Sequence, residues 1–165
     1  YGIIEGLKGS KGEIIGWTHG DLQTDPNDAK MAFIQSENIF GDFLIKGERI
    51  STHREKTDSL FSLGLCAFES ILHQRFFWEI NAQPNIFRKD FFLTWKNPPN
   101  DYQIDLFCYN KALKNKLIIK RFKVDFKKRY SGSSKWKIGK LDRFKMIFRT
   151  IIYSFKLRFV DNVDH

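Results

Sequence analysis

The sequence predicts an α/β layered fold, and three observations carry that prediction. Short β-rich apolar runs alternate with segments of helical periodicity, polar residues begin where the runs stop, and 42% apolar content over 165 residues suffices for one core. The first run, 13–18, is entered through the turn between Gly9 and Gly12 and stops at His19 and Gly20. Asp25 then precedes Pro26, so Asp25 reads as an N-cap and Pro26 as the first residue of an amphipathic helix reaching about Glu37. Phe43 to Ile50 reads as a second strand and Thr57 to about Arg75 as a long helix. A less regular region follows, with a polar loop over Asn81 to Pro84. Asp101 opens a helix to about Leu113, with Asp101 as its N-cap. Ile118, Phe122, Val124 and Phe126 then alternate with Lys123 and Asp125 as in a half-buried strand.

The two ends differ from this pattern. Residues 2–6 read like the middle of a helix, which predicts an N-terminal truncation. Near the other end Leu141, Phe144, Phe148, Ile151, Ile152, Phe155 and Phe159 fall on one helical stripe flanked by Lys145, Arg149 and Lys156. Such a helix either packs on the domain with its cations in water or lies on a membrane surface. The basic flanks beside a broad aromatic face favour an anionic bilayer. The chain thus divides into a domain at 1–136 and a basic amphipathic helix and tail at 137–165.

Twenty-eight Lys and Arg against 19 Asp and Glu give a net charge of +9, which selects a polyanion as partner: nucleic acid, anionic lipid or nucleotide phosphates. Cys66 and Cys108 sit in apolar surroundings away from any metal-ligand spacing, as reduced thiols in a cytoplasmic protein do. Lys or Arg interrupts each apolar stretch before the roughly 18 residues that a spanning helix needs. The expectation is a cytoplasmic chain, peripheral at the inner face of a membrane through its C-terminal helix.

The residues after the first strand carry the chemistry. If the chain stays extended past Thr18, His19, Asp21 and Gln23 project to one side while Gly20 and Leu22 project to the other. An imidazole, a carboxylate and an amide then converge at the carboxyl end of a strand, where a divalent cation can be held. A capped turn is the alternative for Asp and Gln at this place.

The run from Gly16 to Pro26, Gly-Trp-Thr-His-Gly-Asp-Leu-Gln-Thr-Asp-Pro, resembles the metal-binding segment of family 2 glycosyltransferases, especially the branch similar to dolichol-phosphate mannose synthases, which carries Asp-Ala-Asp-Leu-Gln. Lys46-Gly47-Glu48-Arg49 resembles the family segment whose Arg contacts phosphate. Arg129-Tyr130-Ser131-Gly132-Ser133-Ser134-Lys135 resembles its Arg-x-x-Gly-x-Ser-Lys loop. The three lie in the family's order and span most of the chain.

The resemblance implies a Rossmann-like GT-A fold and metal-assisted, inverting transfer of a sugar from a nucleotide-sugar donor to a polyprenyl phosphate or glycan acceptor. It assigns His19, Asp21 and Gln23 to a divalent cation, Mn or Mg, and Arg49, Arg129, Ser134 and Lys135 to the donor's phosphates. His19 replaces the family's Asp; imidazole suits Mn²⁺ better than Mg²⁺ and removes one negative charge. Asn81 and Gln83 stand where the family keeps its acceptor loop. Asp105, with Asp101, lies near where related enzymes keep a base, although an acceptor that is already a phosphate anion needs none. The family's donor-base segment, Pro-x-Tyr-Asn-Glu-like, is missing, so this chain alone is expected to be inactive. Two other readings stand beside this one. One is a non-catalytic relative, motivated by His19. The other is a basic nucleic-acid-binding module, which explains the charge but not the order of the motifs, so nucleic acid is not the expected partner.

Overall fold

The computed structural model describes residues 2–21, 23–50, 56–127 and 140–160. They form six helices and a four-stranded mixed sheet in the order α1 (Gly2–Gly9), β1 (Ile14–Trp17), α2 (Pro26–Ser36), β2 (Phe43–Arg49), α3 (Lys56–His73), β3 (Asn85–Arg88), α4 (Lys89–Leu93), α5 (Ile104–Lys114), β4 (Ile118–Val124) and α6 (Lys140–Phe159). The α/β class follows directly. Asp25 caps α2 as expected, accepting the Asn27 N–H at 2.8 Å, with Pro26 at the first position.

The sheet order is β1-β3-β2-β4. β3 runs antiparallel to both β1 and β2, and β2 is parallel to β4, so β1, β2 and β4 all point one way. β3 and the short α4 fall in the region that the sequence left irregular. Four residues are too few to establish a period, and the pairing of β3 is entirely non-local.

Two glycines make room for the start of β3. A Cβ on Gly16 would meet the Asn85 carbonyl oxygen at 2.2 Å, and one on Gly47 would meet the Gln83 carbonyl oxygen at 2.2 Å. The Gly47 N–H instead reaches the Pro84 carbonyl at 2.8 Å, beside the cis Gln83–Pro84 bond. The chain at 83–85 is thereby pressed between β1 and β2.

One face of the sheet carries the main core. Leu44, Phe87, Phe91, Phe107 and Tyr109 are buried there, joined by Leu157 from α6. Trp95 touches Phe87, Phe91 and Phe107 with ring centroids 5.2 to 5.7 Å apart. A smaller cluster of Ala32, Phe43, Ile45 and Ile86 packs α2 on the other face. Cys66 and Cys108 are buried free thiols; burial pushes both above the ordinary thiol range.

Two expectations change. Asp101 is not the N-cap of α5, which begins at Ile104 with Gln103 in the cap position. Asp101 instead accepts the Gln103 N–H at 3.0 Å and pairs with Arg149 of α6 at 2.9 Å. The chain does not stay extended through His19, Asp21 and Gln23: pairing ends at Trp17 and the chain bends at Gly20 and Asp21.

Candidate functional site

The parallel strands β1, β2 and β4 bring their carboxyl ends to one edge of the sheet, where β3 starts with Asn85. A polar cluster lies in the interior at this edge. Lys46 is fully buried on β2, and its ammonium donates to Asn85 Oδ1 at 2.9 Å and to the Ala82 carbonyl at 3.1 Å. A lysine can only donate, so the Asn85 amide must turn its oxygen toward Lys46 and its nitrogen away. That nitrogen donates to Asp105 Oδ1 at 2.8 Å. Trp17 Nε1 reaches the same carboxylate oxygen at 3.2 Å, and Gln83 Nε2 reaches Oδ2 at 3.3 Å. Asp105 lies in the first turn of α5, where the exposed amide ends of the helix favour an anion.

Burial lowers the Lys46 ammonium to about 8, against the opposing pull of the Asp105 charge. Lys46 and Arg121 both lie against the Tyr109 ring, at 5.4 and 5.0 Å from its centroid. Arg121 also donates to the Tyr109 hydroxyl, whose proton burial holds on more tightly than usual.

The rim of the edge is built around Phe126, just beyond β4. His19 meets its ring edge-on at 5.7 Å between centroids, and the Arg49 guanidinium lies 5.5 Å from its centre. Residues from the first and second motifs, thirty positions apart in the chain, therefore share one aromatic neighbour. Arg49 pairs through Nε with Glu79, while its buried Nη2 has no hydrogen-bond partner among the described residues. The Lys127 N–H donates to the Gln23 carbonyl at 2.7 Å, and Gln23 Nε2 donates to the Lys127 carbonyl at 3.4 Å. Asp21 Oδ1 accepts the Gln23 N–H at 3.2 Å. This local bond makes the turn that competes with an extended chain, and it explains the bend at Gly20 and Asp21.

A groove of about 250 Å³ runs from Arg49 and Glu79 to α3, lined also by Ser59, Ser62, Leu63 and Trp78. Of the remaining sequence-derived candidates, Asn81 is exposed, whereas Gln83 is buried on Asp105. Arg129, Ser134 and Lys135 lie outside the described residues. Lys46 and Asn85 were not singled out from the sequence as individual site residues. The available signal was a lysine directly after the apolar run Phe43-Leu44-Ile45, a place that a strand buried on both faces gives to a cation only with a partner.

Among the described residues no three His, Cys, Asp or Glu side chains cluster closely enough to hold a metal ion. The rim supplies instead one imidazole, one carboxylate and one amide oxygen, a donor set that a divalent cation accepts when phosphate oxygens complete it. No protein-family model matches the chain, and no curated protein matches it.

Proposed function

We propose that the chain is the GT-A-like catalytic portion of a family 2 glycosyltransferase, moving a sugar with inversion from a nucleotide-diphosphate donor to a polyprenyl phosphate. The observation that carries this reading is Arg49. Its guanidinium shares Phe126 with His19, its Nε is held by Glu79, and its buried Nη2 lacks a hydrogen-bond partner among the described residues. A buried guanidinium N–H left open is costly unless an anion completes it, and phosphate oxygens match its geometry.

His19, Asp21 and Gln23 are the residues that would hold the divalent cation, which supplies charge neutralisation for the departing diphosphate. Arg49 binds and orients the phosphates from the β2 side. Arg129, Ser134 and Lys135 belong to the same role by resemblance alone. Asp105, 7% exposed, already has three N–H groups on its carboxylate. Drawing a proton from an acceptor hydroxyl would require that network to loosen. An acceptor that arrives as a phosphate anion makes no such demand, which favours the lipid phosphate over a glycan hydroxyl. In this reading Asp105 is a positioning residue that fixes Gln83 and the loop of Asn81 from below.

The test is calorimetric titration of UDP- and GDP-sugars, with and without Mn²⁺, into the protein. Metal-dependent binding is expected, and Arg49→Lys should weaken it roughly tenfold by replacing a fork with a point charge. Binding indifferent to Mn²⁺ and to Arg49 would overturn the proposal.

A further inference from the structure

Helix α3 packs Leu65 and Cys66 against the main core but turns a second apolar face outward. Its inward side carries Glu69 and His73, both essentially without solvent exposure, with His73 Nε2 3.1 Å from the Glu69 carboxylate. Ser154 of α6 donates to the other oxygen of Glu69. Outward stand Leu60, Leu63 and Ile71, exposed to 70%, 52% and 80%, with only Gly64 and Ala67 between them on the same stripe. The spacing follows the helical period, so these residues form one continuous apolar face in solvent.

Helix α6 lies beside α3, joined by the Glu69–Ser154 bond and by the edge-on ring pair Phe68–Phe155 at 6.2 Å. It too turns large apolar side chains outward: Phe144, Phe148 and Ile152 are 70%, 64% and 53% exposed. The sequence of α6, KLDRFKMIFRTIIYSFKLRF, contains Lys140, Arg143, Lys145, Arg149, Lys156 and Arg158 with Asp142 as its one acid. Two exposed apolar faces side by side, one bordered by cations, exceed the scattered surface hydrophobes of an ordinary domain.

We propose that α3 and α6 together form a docking surface for an anionic lipid bilayer. Their apolar side chains enter the boundary between headgroups and acyl chains, and the cations of α6 meet lipid phosphates. Charge complementarity selects this occupant. A second copy of the chain would bring the same cations face to face, whereas an anionic surface neutralises them. No helix among the described residues is long and apolar enough to cross a membrane, so the pair lies on the bilayer. Leu63 belongs both to the α3 stripe and to the groove beside Arg49, so the docked face opens toward the rim.

Flotation of the 165-residue chain with vesicles tests this, comparing neutral phosphatidylcholine with mixtures containing phosphatidylglycerol. The wild type should float with the anionic vesicles. The double variant Leu60→Ser/Ile71→Ser should partition roughly tenfold less, with unchanged circular dichroism because both positions are exposed. Lys145→Glu/Lys156→Glu should abolish the preference for phosphatidylglycerol. The proposal is overturned if the wild type stays with the unbound fraction, if the α3 variant floats like the wild type, or if sedimentation shows a dimer that the α3 variant dissolves.

Discussion

The buried cluster and the rim at the same sheet edge are built in opposite ways. In the cluster, Lys46, Asn85, Gln83, Trp17 and Asp105 satisfy one another through side-chain bonds spanning 20 to 88 positions of chain. At the rim, Asp21 and Gln23 bond each other locally while Gln23 exchanges two bonds with Lys127, His19 and Arg49 share Phe126, and Arg49 keeps a buried Nη2 with no hydrogen-bond partner among the described residues. The difference teaches where the structure is complete without a ligand. The cluster is held by the fold, so damage there is read as stability. On the proposed function the rim receives an anion, so damage there should be read as binding.

The sharpest way to break the cluster is Gly47→Ala. The new Cβ would stand 2.2 Å from the Gln83 carbonyl oxygen and 2.5 Å from its carbon, both backbone atoms that cannot swing aside. The 83–85 segment would be pushed off β2, carrying Gln83 and Asn85 away from Asp105. Destabilisation of about 3 kcal/mol is expected by denaturant titration. A variant as stable as the parent would mean that this segment does not hold the cluster together.

This contrast also explains what could be read from the sequence. The ends of β1 and β2, the capped start of α2 and the exposed stripe of α6 all depend on neighbours a few residues apart, and periodicity and capping reveal such features. The placing of His19, Asp21 and Gln23 at a strand end was legible for the same reason, but the bend was not, because one Asp21–Gln23 bond decides between two local geometries. β3 was not legible: its four residues take their meaning from β1 and β2 on either side. Lys46 needed Asn85, 39 positions away, before its burial made sense. Arg49 was legible as a cation at a strand end but not as one half-claimed by Glu79.

A second prediction separates the cluster's charge from its shape. The folded protein holds Lys46 at about 8 against an ordinary 10.5. Between those values the unfolded chain binds more protons, so this group makes stability rise with pH across the interval, and the gain is lost as pH falls through about 8. Buried Cys66 and Cys108 act in the other direction above the ordinary thiol value of 9, because their raised values favour the fold while they stay protonated. The stability difference between wild type and Lys46→Met removes their contribution. It should move in favour of the wild type by about 2 kcal/mol between pH 8 and 10. A difference flat in pH would show that Lys46 does not titrate in this range.

The smallest effect on stability and the most specific effect on binding belong to the rim. His19→Asp exchanges an imidazole for a carboxylate at the end of β1. It forfeits the edge contact with Phe126, so a loss of about 1 kcal/mol or less is expected in thermal unfolding. The chemical change is larger than the structural one. If His19 ligates the proposed cation, an oxygen ligand replaces a nitrogen ligand beside Asp21 and adds a negative charge, which Mg²⁺ favours more strongly than Mn²⁺ does. Mg²⁺ should then support nucleotide-sugar binding as well as Mn²⁺, whereas the parent should prefer Mn²⁺. An unchanged metal preference together with the expected loss of stability would remove His19 from the proposed ligands of the cation and leave Asp21 and Gln23 to hold it with the phosphates. The same result would extend the contrast into the rim itself, with His19 serving Phe126 and the fold while its two neighbours serve the ligand.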